Sequence, residues 1–113
     1  KVPITDKERT VLEGFISPRY FGGLGVILDI LEEHYDELNS ERLVEYALRV
    51  GKASAIKRLG WALASVGAPE SILVPLKDYP IKGFRLLDPT LPRRGPYDKG
   101  WMIQNNIYPG DER

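Results

Sequence analysis

The chain has 113 residues, 42% of them apolar, with sixteen basic and sixteen acidic side chains that cancel and no cysteine. Disulfide scaffolds, cysteine-based zinc sites and thiol nucleophiles are excluded, and a domain without net charge draws in nucleic acid only through a local patch. The length suits one domain with its own core, no apolar run approaches a membrane span, and the lack of thiols fits a reducing cytoplasm.

Lys1–Ile4 reads as a short edge strand in which Pro3 is tolerated. Thr5-Asp6-Lys7-Glu8 reads as a capping box, opening a helix with Val11, Leu12, Phe15 and Ile16 on one face. Ser17-Pro18 ends it, because the residue before a proline avoids the helical region. The spacing Gly22-Gly23-x-Gly25 could cradle a phosphate, but it lacks the dinucleotide fingerprint and no strand precedes it. It reads as a turn and a tight helix start. Leu24, Ile27, Leu28, Leu31 and Tyr35 then recur at helical spacing, with Asp29, Glu32, Glu33 and Asp36 on the other side. Asn39 or Ser40 caps a third helix carrying Leu43, Val44, Ala47 and Leu48, with Glu45 and Arg49 in the favourable i,i+4 order and Gly51 as the stop.

A fourth helix places Ala53, Ile56, Leu59, Gly60, Leu63 and Val66 on one arc and Ser54, Lys57, Arg58, Trp61 and Ser65 on the opposite one. A tryptophan on a solvated face needs cover, so this helix is either packed on two sides or presents an aromatic and basic patch; packing is the favoured reading. Pro69 opens a short helix from about Glu70, which Pro75 holds to about two turns. Gly83–Leu87 and Trp101–Asn105 alternate and read as two strands, pairing as an antiparallel ribbon across the Pro-, Arg- and Gly-rich stretch from Asp88 to Gly100. Two strands alone make a marginal sheet, so cover or further strands are expected from the helices, from Lys1–Ile4, or from sequence outside this chain. The expected class is α+β and mainly helical, four main helices plus a short one on a small antiparallel or mixed sheet. Residues 1–106 form one domain, and Ile107–Arg113 reads as a tail.

His34 is the only histidine, which argues against a Ser-His-Asp triad or a multi-histidine metal site. Asp29, Glu33 and His34 would be the set for a metal-dependent nuclease or transferase; a solvated helix end is the simpler reading, and no metal or cofactor is expected. The acidic set Asp29, Glu32, Glu33 and Asp36 could instead contact a basic partner. Arg49, Lys52, Lys57 and Arg58 make the densest basic run, and Arg93-Arg94 a second; their role would be charge contact to phosphate or to an acidic partner. The alternative for Arg58 is pairing with an acid such as Asp88. Asp88-Pro89 reads as a strand end in which Asp88 bonds the amides ahead of it.

Several short motifs follow one another in a familiar order: Glu8-Arg9-Thr10 with Leu12, Gly22-Gly23 after a proline, Arg42-Leu43 with Tyr46-Ala47, Lys57-Arg58-Leu59-Gly60-Trp61, Leu87-Asp88-Pro89, Trp101, and Asn105-Asn106. Together, from about Val2 to Asn106, they resemble the C-terminal region of AbiEi-type antitoxins, transcriptional regulators of abortive-infection (viral defence) systems. The resemblance implies a non-catalytic regulatory domain in a two-gene operon, countering a nucleotidyltransferase-like toxin and assisting autoregulation. It implies that operator DNA is read mainly by an N-terminal winged helix missing from this chain, that the partners include no membrane, and that direct contact with the toxin is optional. The rival readings are a protein-interaction or oligomerisation module and an enzyme.

Overall fold

The structure is a computed structural model that describes residues 7–93 and 95–107. The edge strand expected at Lys1–Ile4, the Thr5 end of the capping box, Arg94 and the tail beyond Ile107 lie outside the described residues. Among the described residues five α-helices come in the expected order: α1 (Lys7–Ile16), α2 (Leu24–His34), α3 (Ser40–Val50), α4 (Ala53–Ser65) and α5 (Glu70–Lys77).

Local chemistry sets their ends. Pro18 stops α1 and opens a single 3-10 turn, Pro18–Phe21. Gly22 and Gly23 then take φ of 90° and 107°, a backbone that favours glycine, and deliver the chain into α2 with no side-chain cap of its own. Asn39 caps α3 by accepting from the Arg42 amide at 3.1 Å, and Gly51 closes it in the left-handed conformation. The Glu8 carboxylate accepts from the Asn39 amide at 2.7 Å and so ties α1 to the start of α3. α5 runs through Pro75 for eight residues, about the two turns expected.

α4 is the central element. It packs on α1, α3, α5 and the sheet, and eight of its thirteen residues are buried. The two-sided cover inferred for the tryptophan-bearing helix is thus the arrangement the fold adopts. Around it lie Phe15, Leu24, Ile27, Leu31, Leu43, Leu76, Leu87 and Ile103, all fully buried. Each such side chain contributes roughly 1.5–3 kcal/mol of transfer free energy, opposed by chain entropy.

Among the described residues the sheet has three two-residue strands, β1 (Arg85–Leu86), β2 (Tyr97–Asp98) and β3 (Ile103–Gln104), in the order β1-β3-β2. β1 runs parallel to β3, with Arg85 opposite Ile103, and β2 runs antiparallel to it, with Asp98 opposite Ile103. The expected antiparallel ribbon is corrected here. The stretch read as a loop reverses the chain twice, and two reversals restore the original direction, so β1 and β3 are parallel and the loop itself supplies the third strand, β2. Trp101 lies in the second reversal rather than in a strand, and Met102, at φ 55°, completes that turn. Among the described residues no helix is long and apolar enough to cross a membrane.

Candidate functional site

The expected basic patch on α4 is not on the surface. Lys57 is 2% exposed, and its ammonium donates to the carbonyls of Leu76 and Lys77 at 3.1 and 2.6 Å. These belong to the last turn of α5, whose carbonyls have no helical partner, so Lys57 caps that helix from a neighbouring one. Burial pushes its pKa below the ordinary lysine value, opposed by the charge of Asp78. Arg58 is 7% exposed and its Nε donates to the Leu86 carbonyl at 2.9 Å, fastening β1 to α4. Burial lowers the guanidinium to about 10; the Asp88 carboxylate opposes that shift and Arg85 reinforces it. Both side chains are committed to the interior and are corrected from surface contacts to structural cations. Helical periodicity had put them opposite the apolar arc; the packing reading expected cover on that side and an acid such as Asp88 near Arg58, and the cover comes from α5 and β1.

Asp88 is a second interior charge. Its Oδ2 accepts from the Leu24 amide at 3.0 Å, and its Oδ1 accepts from the Thr90 amide and hydroxyl at 2.9 and 2.6 Å. It bonds the amides ahead of it, as expected, and also caps α2 across 64 residues of sequence. The glycine loop therefore does receive an anion at a helix N-terminus, and that anion is the chain's own carboxylate. A Cβ on Gly23 would lie 3.2 Å from Asp88 Oδ2, so the close approach suits glycine there. Asn106 completes the arrangement. Its Oδ1 accepts from the Asp88 amide at 2.9 Å, while its Nδ2 donates to the carbonyls of Asp88 and Pro92 at 2.9 and 3.0 Å. Trp101 is buried with its ring against Gly60, where an added Cβ would collide with the ring atoms. In the same sheet the Gln104 Nε2 donates to Gly95 O at 3.0 Å, and its Oε1 is a buried oxygen with no hydrogen-bond partner among the described residues.

The remaining candidates are exposed. Arg49 pairs with Glu45 at 2.9 Å on the surface of α3, Lys52 precedes α4, and Arg93 lies in the loop ahead of β2. Arg49 and Lys52 flank the α3–α4 turn, whereas Arg93 comes from a distant part of the chain, and Arg94 is outside the described residues. His34 sits 3.5 Å from Glu37, which also takes the Lys7 ammonium at 2.9 Å; these contacts hold Glu37 below the ordinary carboxylate pKa, Lys7 contributing most. Among the described residues no three His, Asp or Glu side chains are grouped to share a metal ion, so Asp29, Glu33 and His34 do not converge.

One concavity was missed from the sequence. α2 and α4 each pack on α1, and a groove of about 630 Å³ opens between them, lined among others by Asp29, Glu32, Tyr35, Asp36, Trp61 and Asn105. A second hollow of about 520 Å³ shares the Trp61 and Asn105 wall and continues past Pro96, Tyr97 and Lys99. The acidic stripe on α2 was visible in the sequence. That Trp61 of another helix stands across from it was not.

Fold and site together define a mainly helical α+β domain with interior charges spent on holding backbone and an acidic, aromatic groove on its surface. Searches of family models, curated proteins and solved structures found no match to this chain.

Proposed function

We propose that this chain is a non-catalytic regulatory domain, the C-terminal part of an AbiEi-like antitoxin and transcriptional regulator. In this reading it works in the cytoplasm, counters a nucleotidyltransferase-like toxin, and assists operon autoregulation while a preceding winged helix reads the operator. One observation supports it above others. Six of the residues that carry the resemblance, Gly23, Arg58, Gly60, Asp88, Trp101 and Asn106, take part in contacts that dock the C-terminal sheet on α2 and α4. A shared packing role for these six residues is what supports the reading. Charge contact to DNA falls to Arg49, Lys52 and Arg93, which remain exposed.

The reading requires a nucleotidyltransferase-like reading frame beside this one. Inducing that neighbour should arrest growth, and co-expression of the full-length regulator should relieve the arrest. Persistent arrest with the regulator present at high level rejects the proposal. In a salt series of gel shifts on operator DNA, Arg49→Ala, Lys52→Ala and Arg93→Ala should each shallow the salt slope of the full-length protein by about one unit or less, whereas Lys57→Met should leave it unchanged.

A further inference from the structure

The groove between α2 and α4 carries acidic charge that no described residue pairs with. Asp29, Glu32 and Asp36 line it, all three are exposed, and among the described residues none of them has a hydrogen bond or ion pair. Elsewhere on the surface Glu37 is matched by Lys7 and Glu45 by Arg49, while Glu33 and Glu41 are likewise exposed without an ion pair among the described residues, so it is the groove and its aromatic wall that set Asp29, Glu32 and Asp36 apart. The half-buried Trp61 stands across from the three acids and the half-buried Tyr35 beside Asp36, and no cation lines the larger hollow. Aromatic faces and carboxylates favour the same kind of occupant, a cation with an apolar body.

We infer that this groove is a docking site for a short arginine- or lysine-bearing peptide segment of a partner protein, its cationic side chain lying between the α2 carboxylates and the Trp61 ring. Three features select that occupant. The acids are dispersed along two turns and do not group into a metal site, which suits an extended organic cation better than an ion. Phosphate-bearing ligands meet like charge at the acidic lip. The larger hollow has the size of a ligand pocket, roughly 300–1,000 Å³, and a more open hollow past Pro96, Tyr97 and Asp98, which Lys99 also lines, adjoins it at Trp61 and Asn105. The inference is independent of the regulatory reading above, and each can fail without the other.

Titration of the protein with a hexa-arginine peptide, followed by isothermal calorimetry and tryptophan fluorescence, tests it. Saturable binding is expected, with the fluorescence change lost in Trp61→Phe, since Trp101 is buried away from the groove. The triple variant Asp29→Asn, Glu32→Gln, Asp36→Asn should bind roughly ten-fold more weakly, because three screened pairs are removed. Its fold should be intact by circular dichroism, as these side chains hold nothing in place. A control variant, Glu13→Gln with Glu33→Gln, removes exposed acids that do not line the groove and should keep the parent affinity. Equal weakening in the control, unchanged binding in the triple variant, no saturable binding of hexa-arginine, or tighter binding of a decathymidine oligonucleotide than of the peptide would each overturn the proposal.

Discussion

The helical part and the C-terminal sheet are held together by different means. Helices α1 to α5 are joined mainly by apolar side chains buried around α4, an arrangement tolerant of modest change at any one position. The sheet has strands of two residues each, too short to persist alone, and it is fastened to the helices by directional polar ties. Asp88 accepts the α2 amide, Asn106 locks the backbone after β1, Arg58 holds β1, and Trp101 fits against Gly60. The sheet region also puts Leu87, Trp101 and Ile103 into the shared core, and a few buried polar groups fix how it docks there. Each of those is costly to remove, because its partner stays behind unsatisfied.

The variant that strains this contrast most is Asp88→Ala. It strands the buried Leu24 amide and strips Arg58 of its opposing charge, an expected loss of about 3–5 kcal/mol in urea unfolding. If the contrast holds, the Trp101 fluorescence shifts to the red before helical ellipticity falls; a single coincident transition for both would merge the two regions into one cooperative unit. Asn106→Leu follows at about 2–3 kcal/mol, since at least three backbone groups lose their partner. Gly60→Ala comes next at about 1–3 kcal/mol, by pushing the Trp101 ring off α4, and near-ultraviolet dichroism should report the displaced indole. Arg58→Met is expected to cost less than Asp88→Ala by roughly 2 kcal/mol, because removing a desolvated charge offsets part of the cost of leaving the Leu86 carbonyl and Asp88 without it. A loss equal to that of Asp88→Ala would make the guanidinium, not the carboxylate, the main tie.

The smallest effect lies on the surface of the helical part. Glu37 has its pKa lowered in the folded protein, so its contact with Lys7 stabilises fully above the ordinary value of 4.5 and the contribution is lost as pH falls through the lower folded value. The thermal midpoint of Glu37→Gln should therefore sit slightly below that of the parent at pH 7 and converge with it toward pH 3. A gap that persists in acid would assign the difference to something other than charge.

Much of the helical part was legible in the sequence, and the reasons are local. Leu24, Ile27, Leu28 and Leu31 keep a 3.6-residue period, Asn39 and Gly51 bracket α3, and Pro18 and Pro69 set boundaries that any backbone must obey. The sheet was legible only as two extended segments. Its third strand and parallel pairing depend on how many times the chain turns between Leu87 and Ile103, and composition does not count turns. The candidate site fared least well. Lys57 and Arg58 have the spacing of a surface patch, yet a four- or five-bond side chain can fold inward as readily as outward, and the choice rests on which carbonyls are nearby.

From the sequence alone came the helix boundaries, the apolar arcs, the α+β class and the acidic stripe on α2, because nearest neighbours along the chain fix backbone dihedrals and periodicity. Tertiary structure alone decided which charges are interior and which face water. It seated Asp88 at the start of α2 across 64 residues, sank Lys57 and Arg58 beneath α5 and β1, and stood Trp61 opposite Asp29, Glu32 and Asp36. A charge takes its role from the groups that surround it, and here those groups come from distant parts of the chain.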